Sequence, residues 1–326
     1  MRIRLTYLEQ ILGAKFMTAR MFSLHAAALI AGLLLGHTAA QAQQKFKSAE
    51  ETVAALVAAA RADDLRDLMK ILGPEGRDIL FSGDEVADQA ARAKFLIAFD
   101  LKHQLVKKGT SAADLVVGAN DWTLPIPIVE KAGGWQFDTV TGRREVLSRR
   151  IGLNELSAIQ VALAYVDAQN EYASMHPEGS KVDAYAQRIL SSPGKKDGLY
   201  WPAAANEPQS PLGEAFALAT IQGYRPGAEA RPYHGYYYKV LTGQGVNVPG
   251  GEMSYLVNGN LIGGFALVAY PAEYGNSGVM TFLVNHSGVV FQKDLGPNTA
   301  RIAERMKSYD PDVTWRKVPD SELSLN

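Results

Sequence analysis

The densest run of side chains suited to recognition is "RPYHGYYYKVL", residues 231–241, which holds Tyr233, His234, Tyr236, Tyr237 and Tyr238. Tyr200, Trp201, Tyr270 and Tyr274 add aromatic rings elsewhere in the same half. On a strand, alternation sends Tyr236 and Tyr238 to one face and Tyr237 to the other. Either one face fills a core while the other lines the sheet, or the rings form a recognition surface. Tyrosine suits such a surface because it gives contact area at low entropic cost and ends in a polar tip. The surface candidates are Tyr233, His234, Tyr236, Tyr238, Tyr270 and Tyr274.

Catalytic constellations are thinner. Asp100 and His103 are three apart and would share a face on one helix, which an acid–base pair requires, although "KHQLVKKG" reads as a solvated helix end. Beyond residue 42 the histidines are His103, His176, His234 and His286, with no i, i+4 or His-x-His spacing, so no zinc site is encoded locally. Ser277 in "GNSG" lacks the strand-to-helix elbow of a serine hydrolase. "HPEGSKVDAY" offers Glu178 and Asp183 without the alternating acids of a calcium loop. The absence of cysteine excludes thiol catalysis, disulfides and Cys-ligated metals. Arg143, Arg144, Arg149 and Arg150 fit a solvated helix with local salt bridges, or a site for an anionic ligand. No metal and no cofactor is expected from these patterns.

The elements that must position these residues fall into two groups. In "FKSAEETVAALVAAARADDLRDLMKILG", Ser48 and Glu51 stand at capping-box spacing, and Val53, Leu56, Val57 and Ala60 share a helical face. The phase breaks at Asp63-Asp64 and restarts with Leu65, Leu68, Met69 and Leu72, which predicts two helices. A third, from about Asp84 to Lys107, carries Val86, Ala90, Ala93, Leu96 and Ile97 inward. Strands follow at "ADLVVGA", "WTLPIPIVE" and "GGWQFDT", with Pro125 and Pro127 marking a sheet edge or a bulge.

The second group opens with the helix "NELSAIQVALAYVDAQNEYA", capped by Asn154 and turning Leu156, Ile159, Leu163 and Val166 inward. A Pro-, Gly- and Ser-rich loop separates it from strands at "YHGYYYKVL", "MSYLVNG", "GFALVAYPA", "GVMTFLVN" and "GVVFQKDLG". "NGN" at 258–260 and "NHSG" at 285–288 supply hairpin turns. "TARIAERMKSY" is a last helix. The expected fold is α+β, with domains at 45–150 and 151–318 and a polar tail at 319–326.

The first 42 residues read as a signal peptide and not as fold. Arg20, the apolar run "LHAAALIAGLLLG" and Ala40-Gln41-Ala42 stand in secretory order, with cleavage expected after Ala42. Translation could start at Met1, Met17 or Met21. Removing this segment leaves 29 basic and 33 acidic groups, a balance that offers nucleic acid no basic surface. No later stretch reaches spanning length, so no membrane span is expected after signal removal. The expected location is the periplasm or the exterior.

Longer motifs carry family resemblance. "DGLYWPA", "PYHGYYYKVLT" and "GGFALVAYPAEYGNSGVMTFLVNHSGVVFQKDLG" resemble the bacterial secreted family of domain of unknown function 2950, from about Phe46 to Val318. The resemblance implies export and a two-part architecture, with no assigned activity. Helices followed by a meander ending in "GGWQF" resemble the cone of the nuclear-transport-factor-2-like superfamily, whose enzymes place an acid and a His inside the cone. A helix ending in "AQNEYA", a long loop and the closing meander resemble the globular domain of type IV pilins and pseudopilins. This chain differs from those in having a separate domain where their N-terminal helix would lead in. The functional expectation is an exported, non-catalytic envelope protein that binds a protein or a glycan. The alternative is a periplasmic enzyme with its site in the N-terminal cone or at the domain junction.

Overall fold

Local capping starts the first helices where the sequence supplies acids and hydroxyls. The computed structural model describes residues 42–176, 183–204, 206–222, 224 and 231–323. The expected signal segment and Ala40 lie outside the described residues, of which Ala42 is the first. Helix α1 (Ala49–Arg61) begins where the Ser48 hydroxyl accepts from the Glu51 N–H and the Glu51 carboxylate accepts from the Lys47 N–H. Helix α2 (Leu65–Leu72) begins at Asp64, whose carboxylate accepts from the N–H groups of Arg66 and Asp67. After the short α3 (Gly76–Leu80), helix α4 (Glu85–Leu101) is capped by Asp84.

Two expectations for α4 need correction. The helix ends at Leu101, because Lys102 is extended and its carbonyl accepts from the Gly118 N–H, which draws the chain into strand β1 (His103–Lys107). Its inward side consists of Phe95, Leu96, Ala98 and Phe99, while Ala90, Ala93 and Ile97 face outward, Ile97 with 71% of its surface exposed. The helix is apolar on two sides, and the aromatic side takes the core.

Strands β2 (Ala112–Val117), β3 (Trp122–Thr123), β4 (Ile128–Lys131) and β5 (Gly134–Phe137) complete an antiparallel sheet in the order β1-β2-β4-β5, with β3 also on β2. Pro125 and Pro127 fall between β3 and β4, so the predicted single strand is split by a bulge opposite Asp114 and Leu115. One side of this sheet and the first helices enclose a core around Leu56, Leu68, Leu115, Ile128 and Phe137.

Helix α5 runs from Thr139 to Met175 without interruption, about 55 Å at 1.5 Å per residue. Asn154 is therefore not a cap but lies in mid-helix. Then come α6 (Gly213–Ile221), β6 (Tyr236–Leu241), β7 (Gly243–Gln244), β8 (Met253–Ser254), β9 (Leu256–Val257) and β10 (Asn260–Leu261). The chain continues through β11 (Ala266–Pro271), β12 (Met280–Asn285), β13 (Phe291–Asp294), α7 (Thr299–Arg305), β14 (Ser308–Tyr309), β15 (Arg316–Lys317) and α8 (Asp320–Leu323). The main second sheet is antiparallel, in the order β15-β13-β12-β11-β6. Asn258 and Gly259, both with positive φ, turn β9 into β10. Ile159, Ala162, Tyr165 and Val166 of α5 pack against this sheet in a second core with Phe265, Val268, Phe282 and Val284. The described residues thus form one compact unit with two cores, and the chain is α+β.

Two glycines of α5 make opposite demands. A Cβ on Gly142 would lie 2.7 Å from the Ile126 Cα, whereas one on Gly152 would meet nothing within 4 Å. Gly142→Ala is expected to cost roughly 1–3 kcal/mol in urea denaturation. Gly152→Ala should be neutral or gain up to about 1 kcal/mol, because alanine favours the helix. Equal losses at both positions would contradict the packing described.

Candidate functional site at the junction of the two cores

Several polar residues with multiple hydrogen bonds lie where the two cores meet. Arg150, half-buried on α5, donates through Nη1 to the Asp78 carbonyl at 2.7 Å and to Asn276 Oδ1 at 2.5 Å. Its Nη2 donates to the Ile79 carbonyl at 2.6 Å. Asn276 in turn donates to the Phe81 carbonyl at 2.7 Å and to the Glu273 carboxylate at 3.1 Å. One planar guanidinium therefore joins α3, α5 and the turn between β11 and β12. Burial pulls the Arg150 pKa down, while Asp88, Glu273 and Asp78 push back, and a guanidinium remains charged throughout. Arg143 pairs with the Asp78 carboxylate. Of the four arginines read as a solvated junction helix, Arg149 makes the local i, i+4 pair with Glu145, and Arg150 is the structural clamp.

The same turn is fixed from its other side. Asn154 donates to the Ser277 carbonyl at 2.8 Å, and Glu155 accepts from the N–H groups of Val279 and Met280. Gly278 is required because a Cβ there would lie 2.2 Å from the Tyr236 hydroxyl. Ser277 is buried, and its hydroxyl donates to the Glu273 carbonyl while accepting from the Glu273 N–H, so it braces the turn.

Asp84 is the second tie. Its Oδ1 accepts from the Ala87 N–H as the cap of α4, and its Oδ2 accepts from the Tyr224 hydroxyl at 2.7 Å and the Gly235 N–H at 2.9 Å. This buried carboxylate sets a group of rings. Tyr224 stands edge-on to Tyr233 at 4.8 Å, and His234 lies 4.2 Å from Tyr233 and 5.8 Å from Tyr224. All three are half-buried. Burial, reinforced by the hydrogen bond to Asp84, raises the Tyr224 pKa; burial lowers that of His234, against the pull of Asp84.

The six aromatic candidates therefore separate. Tyr233, His234 and Tyr238 come together, Tyr238 donating to the Tyr233 carbonyl at 3.4 Å. Tyr236 is fully buried, donates to the Met280 carbonyl and belongs to the core, so it offers no surface. Tyr270 is buried against Tyr237 on the other face of the sheet. Tyr274 stands apart, its hydroxyl 3.2 Å from Asp294. Asp84 and Tyr224 were not singled out by sequence; Asp84 showed only as a helix start, and Tyr224 had no local signal.

The remaining candidates are accounted for by surface contacts. Asp100 pairs with Arg61, and His103, on β1 and not on the helix, stacks on Phe99. Both are exposed. Glu178 lies outside the described residues, and Asp183 pairs with His176 at 2.7 Å. Among the described residues no three His, Asp or Glu side chains converge as metal ligands, and no helix is long and apolar enough to cross a membrane.

A family model described as a protein of unknown function, DUF2950, matches residues 43–318. The chain belongs to this family. In this DUF2950 member the match embraces both cores and every junction residue named above. No curated protein and no solved structure matches the chain.

The depressed His234 pKa has a sign. A histidine whose folded pKa lies below its unfolded value of about 6.5 contributes stability that is full above the unfolded value and is lost as pH falls from there through the folded one. Asp88, raised by burial, acts in the opposite direction at lower pH. His234→Asn, which tolerates the positive φ of this position, is expected to flatten the fall in stability as pH drops below about 6.5. Denaturation midpoints on either side of that pH check it; an unchanged slope would contradict a half-buried imidazole that resists protonation.

Proposed function

We propose that this is an exported, non-catalytic envelope protein that acts by binding a protein or a glycan through the ring group of Tyr224, Tyr233 and His234. The observation that carries this reading is that half-exposed Tyr224 and His234 both stand edge-on to half-exposed Tyr233, with Tyr224 anchored to the buried carboxylate of Asp84. Rings held in place before binding lose little entropy on contact, which favours recognition. Export rests on the order of charges and apolar residues before Ala42. A pilin-like second half is supported by α5 lying against β11 and β12, and a cone-like first half by α1 and α4 against its sheet.

Immobilised mature protein exposed to a detergent extract and to glycan fragments of the same envelope provides the test. Tyr233→Ala is expected to lose the recovered ligand at least about tenfold, as for a central aromatic contact, with its thermal midpoint near wild type. Tyr274→Ala, away from the group, should retain it. Equal recovery by wild type and Tyr233→Ala would sink the reading.

A further inference from the structure

Strand β1 is a sheet edge whose backbone is free and whose side chains are basic. Gly118 donates to the Lys102 carbonyl and Lys108 to the Ala112 carbonyl, each at 2.8 Å, so the ladder bonds of β1 fall on even-numbered residues. His103, Leu105 and Lys107 turn their N–H and C=O groups outward. Among the described residues no strand or loop backbone pairs with them.

The charges carried by residues 102–108 themselves have one sign, and the acids near them, Asp114, Asp121 and Glu50, lie outside this segment. Residues 102–108, "KHQLVKK", contain three lysines and a histidine and no acid. Lys102 is tied to Asp121 and Lys108 to Asp114, while exposed Lys107 makes no ion pair within 4 Å among the described residues and interacts with Glu50 only through its field. The helix end that runs into β1 leaves Leu101 68% exposed, one turn beyond Ile97. A strand laid along β1 with apolar residues at alternate positions therefore has apolar surface nearby to cover.

We propose that β1 is a docking edge that accepts an extended acidic segment of a partner protein as an added strand. Main-chain pairing supplies the attachment, and the lysines select the charge of the incoming strand. A second copy of β1 paired about its centre meets like charge. Antiparallel self-pairing about Leu105 would set Lys107 against His103 and Lys108 against Lys102. Edge lysines also deter aggregation, and a guard of that kind repels cationic strands while leaving acidic ones attracted. This edge lies on the first core, so its test is independent of the Tyr233 ring group.

The probe is a fluorescein-labelled, end-blocked peptide of about eight residues alternating Glu and Val, compared with a Lys/Val peptide of the same length. Anisotropy with the mature chain should show saturable binding of the acidic peptide, at least about tenfold tighter than the basic one. Lys107→Pro removes an N–H that β2 does not use, so it should abolish binding while leaving the β1–β2 ladder intact. Lys107→Gln keeps the backbone and should weaken binding only about two- to fivefold. Circular dichroism melts of both variants verify the fold, and Lys107→Gln with Lys108→Gln replaces the proline variant if that one is unstable, with an expected loss of roughly tenfold. Equal affinity for the two peptides, no saturation by the acidic peptide, or full binding by Lys107→Pro would each overturn the proposal.

Discussion

The guanidinium of Arg150 is a principal tie between the two cores. Its flat fork reaches two successive carbonyls at the end of α3 and the side chain of Asn276 in the β11–β12 turn. Withdrawing a cation from water is costly, and the cost is offset only if each donor finds an acceptor and acids lie close by. Asp78, Asp88 and Glu273 supply that field. A lysine could not span these acceptors, because a single ammonium lacks the planar fork.

Much of the remaining architecture serves this contact. The uninterrupted α5 contributes Arg150, Asn154 and Glu155, all directed at residues 276–280. Those residues form a turn in which Gly278 makes room for the Tyr236 hydroxyl and Ser277 braces the backbone. Asp84 makes a parallel attachment, capping α4 with one oxygen and holding Tyr224 and Gly235 with the other. The aromatic group is thus fixed by the same junction that joins the cores. The residues that suggest chemistry in "PAEYGNSG" are occupied in holding the turn to α5 and to the first core.

Local features were legible in the sequence and distant ones were not. Ser48, Asp64 and Asp84 announce helix starts because a cap acts within four residues. The closing meander was legible from its alternation and its Asn-Gly turns. Alternation shows which tyrosines share a face but not which face is covered, so Tyr236 was placed on a surface that it does not reach. In α4, Phe95 and Phe99 compete with Ala90 and Ile97 for the core, and helical periodicity alone does not choose between two apolar sides. Arg150 and Asn276 are 126 residues apart, and Asp84 and Tyr224 are 140 apart; no local pattern marks either pair.

On this geometry Arg150 should make the two cores one cooperative unit. Native-state hydrogen exchange on wild type and Arg150→Ala tests it most directly, by comparing amides of β2 in the first core with those of β12 in the second. In wild type both sets should open with the same free energy. In Arg150→Ala the two should separate by at least about 1 kcal/mol, each core then opening on its own. Amides that remain matched in the variant, or that are already separate in wild type, would contradict the claim.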